Sequence, residues 1–224
     1  MNLNSIISLG SHCEPGIHYR RFFGAEPYSP FDWLITYPLE TLLKILDTDG
    51  KYFGDEVAFA MDGTSAICTK YGCFYHHEFE RNEKGMVLIS SQALKICKEK
   101  LNYKYLKFIN IARNTNPLFI RWSHGAEYPS KSDKFIYTID EVSSIYKTIE
   151  DKLGHQNFHI AFVGVKNINN FELIDPECLT IRPNISCFQY DMLDQSDVDF
   201  FWDNFFTRFG FEKNSPPAIG EFEK

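Results

Sequence analysis

Apolar residues recur along this chain in two rhythms: short uninterrupted runs, and longer stretches spaced by threes and fours. Ile6-Ile7-Ser8-Leu9, closed by Gly10, reads as a buried strand. Leu118-Phe119-Ile120-Arg121-Trp122 and, most strongly, residues 158–165 read the same way. Helical stretches lie between these runs. Pro15 suits a first helical turn and Gly24 a stop, which predicts a helix ending near Phe23. Leu39, Leu42, Leu43 and Leu46 share one helical face ahead of the Asp47-Thr48-Asp49-Gly50 turn. Leu94, Cys97, Leu101, Tyr105, Phe108 and Ala112 predict a long helix over about 91–113, whose lysine-rich remainder reads as a solvated face. Thr138-Ile139-Asp140-Glu141 is a capping box for a helix that buries Val142, Ile145, Ile149 and Leu153 and stops at Gly154. Cys178-Leu179-Thr180-Ile181 predicts a fourth strand. Ser196-Asp197 opens a last helix with Val198, Phe201, Trp202, Phe205 and Phe209 inward and Gly210 at its end.

Residues 51–92 keep neither rhythm. Tyr52-Phe53 and residues 57–59, 66–69 and 74–79 are short strand candidates, so an irregular β-containing insertion is expected there. Elsewhere strand and helix alternate, the signature of a three-layer α/β domain with a mainly parallel central sheet. A chain of 224 residues suits one such domain over 1–212, followed by a loose tail over 213–224. In open parallel sheets the ligand site lies beyond the carboxyl ends of the strands. That rule gathers Cys13, Arg121, His124 and Lys166 at one edge.

Composition narrows the function classes. A net charge of −7 argues against a nucleic-acid or anionic-membrane binder. No apolar run reaches the ~18 residues of a membrane span, and residues 1–10 lack the basic and long apolar regions of a signal peptide. The six cysteines form no C-x-x-C, which points to a reducing cytoplasm rather than a disulfide scaffold. Cys68 and Cys73 have no second pair at matching spacing, so neither metal nor cofactor is expected. The 21 phenylalanines are expected to fill the core. Oligomeric state is not legible from the sequence.

The chemistry-bearing stretch is the first strand with the turn and helix start after it. Gly10-Ser11-His12 is a tight turn, and Cys13 falls at a helix N-terminus, where free N–H groups and the helix dipole favour an anion. A thiol so placed is expected to have a depressed pKa and to act as a nucleophile. The same turn suits a bound phosphate, and a core role for Cys13 is the plain alternative. His77 and His124 compete for the part of base, with His12 third. Asp32, between large apolar neighbours, needs a partner; orienting His77 and capping the next turn are both open to it. Arg121, ending an apolar strand, is a candidate clamp for a substrate carboxylate or phosphate.

Three ordered motifs, Ser8-Leu9-Gly10-Ser11-His12-Cys13, Pro30-Phe31-Asp32-Trp33 and His77-Glu78-Phe79, resemble those of the bacterial DUF1796 family, described as papain-like cysteine peptidases. The resemblance covers roughly residues 5–122, with a weaker match onward to 158–164. It departs at the third motif, where His-Asp-Phe is expected and this chain has His-Glu-Phe. The resemblance implies Cys13 as nucleophile and His77 as base; the change to Glu78 leaves the acid partner open, and Asp32 is the candidate for it. A cysteine-dependent hydrolase or acyl transferase is therefore the first expectation, acting on a small-molecule, peptide or glycan-linked substrate. Its rival is a transferase or binding domain for a phosphorylated or sugar ligand, active in glycan modification. In that rival Gly10, Ser11 and His12 cradle an anion, with Arg121 and His124 beside it. A third possibility is an interaction domain in which Cys13 is core.

Overall fold

The structure is a computed structural model and describes residues 2–123, 135–166, 172–191 and 194–217. Strand β1 (Ser5–Ser8) leads into α1 (Glu14–Phe23), a 3-10 turn over Pro30–Asp32, and α2 (Leu39–Asp47). The insertion supplies β2 (Val57–Ala60), β3 (Ser65–Cys68) and β4 (Cys73–Phe74), after which α3 (Ser91–Asn114) returns the chain to β5 (Pro117–Ser123). Then come β6 (Phe135–Tyr137), α4 (Ile139–Leu153), β7 (His159–Val165), β8 (Glu172–Ile174), α5 (Glu177–Ile181), β9 (Ile185–Tyr190) and α6 (Gln195–Arg208).

The central sheet is parallel throughout, in the order β1-β5-β7-β9. A small antiparallel sheet, β2-β3-β4, forms the insertion, and β6 pairs with β8. This is the predicted α/β architecture, a mainly parallel sheet flanked by helices. Alternation along β5 shows why both faces are apolar. Phe119 meets Phe108 of α3 at 6.4 Å, and Arg121 meets the Tyr137 hydroxyl on the same side. Trp122 points the other way: its indole N–H donates to the Tyr190 hydroxyl at 3.0 Å, and the Tyr190 ring stacks on Phe201 of α6 at 4.5 Å. Every residue of β5 is buried.

Local signals set most boundaries. Gly24 ends α1 in the left-handed conformation and donates back to Arg20. The Thr138–Glu141 capping box opens α4 as predicted. The last helix starts earlier than expected, because Asp194 rather than Ser196 accepts the Asp197 N–H. Within it Val198, Trp202, Phe205 and Phe206 are buried, whereas Phe201 and Phe209 are half-buried.

Three expectations are corrected. Residues 178–181 are not a strand but most of α5. Pro176 precedes it, the Asp175 carboxylate accepts the Glu177 N–H at 3.0 Å, and the Asp175 carbonyl accepts the Cys178 N–H. Four apolar residues do not distinguish the two periods. The fourth strand is β9, which pairs only with β7 and mixes polar with apolar positions. In the insertion, Tyr52-Phe53 is a turn, and of the expected 74–79 run only Phe74 is strand, as the end of β4; residues 76–79 form a bend. The tail is held at its start, with Asn214 donating to the Phe22 carbonyl at 2.9 Å and Lys213 bonded to Asp203 at 2.9 Å. Among the described residues no helix is long and apolar enough to cross a membrane.

Candidate active site

The turn after β1 is built against the end of β5. Leu9 and Ser11 donate to the Ile120 and Trp122 carbonyls, and Trp122 donates to the Gly10 carbonyl, so the ladder runs three residues past the strand. Thr36 then donates to the Ser11 carbonyl at 2.8 Å. Gly10 sits at φ +78°, and a Cβ there would collide with the Thr36 hydroxyl and press on the Arg121 guanidinium at 3.1 Å, so only glycine fits. Ser29 adds a second tie: its hydroxyl donates to the Ser8 carbonyl at 2.7 Å and accepts the Phe31 N–H at 3.2 Å. The Pro-Phe-Asp-Trp segment is thereby fastened to the strand that carries Cys13.

Cys13 is the N-cap residue of α1, half-buried, with its sulfur 3.3 Å from Nδ1 of His12. The His12 ring lies 5.7 Å from that of Trp122. The expected depression of the thiol pKa is not found. Burial pushes it up and the adjacent Glu14 carboxylate adds to this, outweighing the favourable contact with its own N–H. Glu14 is held by His18 at 3.1 Å, and the His18 ring stacks on Trp202 at 5.0 Å, so the start of α1 is anchored to α6.

The remaining candidates divide sharply. Arg121 is fully buried and donates to the Leu9 carbonyl at 2.7 Å, to the Thr36 hydroxyl and carbonyl at 2.9 and 2.7 Å, and to the Tyr137 hydroxyl at 3.1 Å. It locks the turn and has no surface from which to clamp a ligand, which corrects its expected role. The N–H groups of Gly10 and Ser11 are likewise taken, by the Ser8 hydroxyl and the Trp122 carbonyl. Asp32 is buried, and its Oδ2 has no hydrogen-bond partner among the described residues. Desolvation pushes its carboxyl up to about 7 against the pull of Lys104 and the Ser29 N–H. Gly16 of α1 packs directly on it. Asp32 makes no bond to His77. His124 lies outside the described residues.

His77 sits in the 76–79 bend, exposed, its ring 5.6 Å edge-on to Trp33 and 4.9 Å from His76. The bend turns the two histidines together rather than to opposite faces. Partial burial lowers the His77 pKa first, and its neighbours His76 and Arg81 lower it further, outweighing Glu78. His77 also walls a cleft of about 600 Å³ between α1, Trp33 and α3. Its other walls include Arg20, Lys100 and Lys104, which the sequence left as surface residues. The available signal was that Lys100 and Lys104 stand one helical turn apart on α3.

Compared with known proteins, the chain matches no family model, no curated protein and no solved structure. The likeness to the DUF1796 family therefore rests on its three motifs alone. The second and third motifs meet at the cleft through Trp33 and His77, and the first sets the Cys13–His12 pair at the head of α1.

Proposed function

We propose that the protein is a cysteine-dependent hydrolase or acyl transferase in which Cys13 is the nucleophile and His12 its base. The observation that carries this reading is the 3.3 Å contact between the Cys13 sulfur and Nδ1 of His12 at the head of a helix, beyond the carboxyl end of β1. Because burial keeps the resting thiol protonated, attack requires a base to take its proton. The sulfur electron pair forms a bond to the acyl carbon while the thiol proton passes to His12. The imidazolium then returns that proton to the leaving group as its bond to carbon breaks. Water, or an acceptor hydroxyl or amine, releases the acyl group from the thioester. The Glu14 and Gly16 N–H groups, which have no intrahelical acceptor at the head of α1, are the donors available to the developing oxyanion; Pro15 has none to give. His77 meets the substrate from the cleft rather than the sulfur. Such a thiol needs the reducing compartment expected from the sequence, the cytoplasm.

p-Nitrophenyl acetate tests this. The wild type is expected to release a burst of p-nitrophenol equal to the enzyme present. Cys13→Ser should give no burst while melting as the wild type does, and His12→Ala should slow the burst by about 10²-fold. An unchanged burst in Cys13→Ser removes the proposal. The rival reading, a transferase or binding domain for a phosphorylated or sugar ligand, is favoured by the cations of the cleft rather than by the turn.

A further inference from the structure

We propose that the cleft between α1, Trp33, the 76–79 bend and α3 binds a small anionic ligand, a carboxylate or a phosphate ester, whose charged oxygens lie on Lys104. Binding there is independent of whether Cys13 reacts.

The charge pattern of the walls is the first ground. Arg20 is bonded to Glu26 at 2.6 Å, and Lys100 to the nearly inaccessible Glu78 carboxylate at 2.7 Å. Lys104 has no hydrogen-bonded or ion-paired partner among the described residues, although it lines the same cleft and is half-buried. Three cations thus face two carboxylates. A partly desolvated ammonium without an acceptor is costly, and burial lowers its pKa. An anionic oxygen placed on it makes a charge-assisted bond and removes that cost.

The second ground lies beneath Lys104. Asp32 is the carboxylate that acts on it most strongly, yet desolvation holds this acid near 7, so at neutral pH it neutralises Lys104 only in part. Asp32 is faced by Lys104 from α3, by Tyr19 from α1, by Tyr28 and the Ser29 N–H from the segment before the 3-10 turn, and by Glu26 from the cleft wall. None of these gives its Oδ2 a bond. The third ground is at the rim, where the Arg81 guanidinium acts on His77 more strongly than the Glu78 carboxylate does. The volume, about 600 Å³, is that of a small-molecule site. Pro27 and Trp33 supply an apolar wall, with Arg20 stacked 4.8 Å over the indole.

The test follows the His77 imidazole resonance of the full chain by NMR during separate titrations with succinate and inorganic phosphate. At least one is expected to shift it saturably, and which one does so separates carboxylate from phosphate recognition. Lys104→Met and Lys104→Gln should each weaken binding at least tenfold. Lys95→Met, at an exposed position of the same helix, should leave it unchanged, and so should Cys13→Ser. Succinate only gains negative charge as pH rises from 6 to 8, so a fall in its affinity across that range reports Asp32 ionising rather than the ligand, and the fall should be smaller in Asp32→Asn. No saturable shift with either anion, or wild-type affinity in both Lys104 variants, overturns the proposal. Saturable anion binding together with a burst that persists in Cys13→Ser overturns the catalytic reading alone; a Cys13-dependent burst with no saturable anion binding overturns this inference alone.

Discussion

Replacing Arg121 with leucine is expected to cost about 3–5 kcal/mol of stability, because a fully buried guanidinium is removed from four acceptors that have no water to turn to. Those acceptors belong to the Leu9 carbonyl, Thr36 twice and the Tyr137 hydroxyl. They join the end of β1 to the segment after the 3-10 turn and to β6. The loss therefore falls on the turn that presents Cys13, and the acetylation burst should fall with it. Arg121→Lys keeps the charge but has one ammonium in place of a planar fork, and is expected to recover only part of the stability. Urea unfolding measures both variants. A cost below about 1 kcal/mol for Arg121→Leu, with an unchanged burst, would mean that the guanidinium does not hold the turn.

Asp32→Asn is expected to act in the opposite direction, stabilising the fold near neutral pH by about 2–4 kcal/mol. The folded-state pKa of this acid is raised to about 7 from an ordinary value of 3.8. Below about pH 4 the carboxyl is protonated in folded and unfolded chains alike, and it imposes no penalty. As pH rises from about 4 to 7 the unfolded chain ionises first, and the penalty grows by about 1.4 kcal/mol per pH unit until the folded carboxyl ionises too. An amide keeps an oxygen for the Ser29 N–H without a buried charge. The difference in stability between variant and wild type should therefore be near zero at pH 4 and level off above pH 7. A constant difference across that range, or a destabilised variant at pH 7, would contradict the description of Asp32. Asp32 is thus a buried acid that costs stability in the segment fastened to the Cys13 strand.

Much of this architecture is legible in the sequence, for identifiable reasons. The strands β1, β5 and β7 are apolar runs closed by turn residues, and α1 and α4 carry their stops and caps in plain view. Strand β9 escapes because an edge strand buries less and carries polar residues, Ser186 and Gln189, at two of its six positions. The short helix α5 is taken for a strand because one helical turn and a short apolar run share a pattern. In the site, the family-like motifs mark the right neighbourhood but not the partners. His12 rather than His77 meets the sulfur, since the turn folds the imidazole back beside its own neighbour. Arg121 reads as a ligand clamp at the end of a strand, but the turn packed over it makes it an internal tie. The cleft is invisible to any local pattern. It exists only because α3 crosses behind the Pro-Phe-Asp-Trp turn, bringing Lys100 and Lys104 to Trp33 from about 70 residues away in the chain.

The most direct measurement is the site of acyl transfer. After a single turnover with p-nitrophenyl acetate, acid quench and digestion, mass spectrometry should find the acetyl group on Cys13. Cys187, the other half-buried cysteine, has its thiol pushed up to about 11 by burial and should remain unmodified. An acetyl group on Cys13 that accumulates in wild type and slows in His12→Ala is the result expected of a thiol–imidazole pair. An acetyl group found elsewhere, or reaching Cys13 no faster than it reaches Cys187, would contradict it.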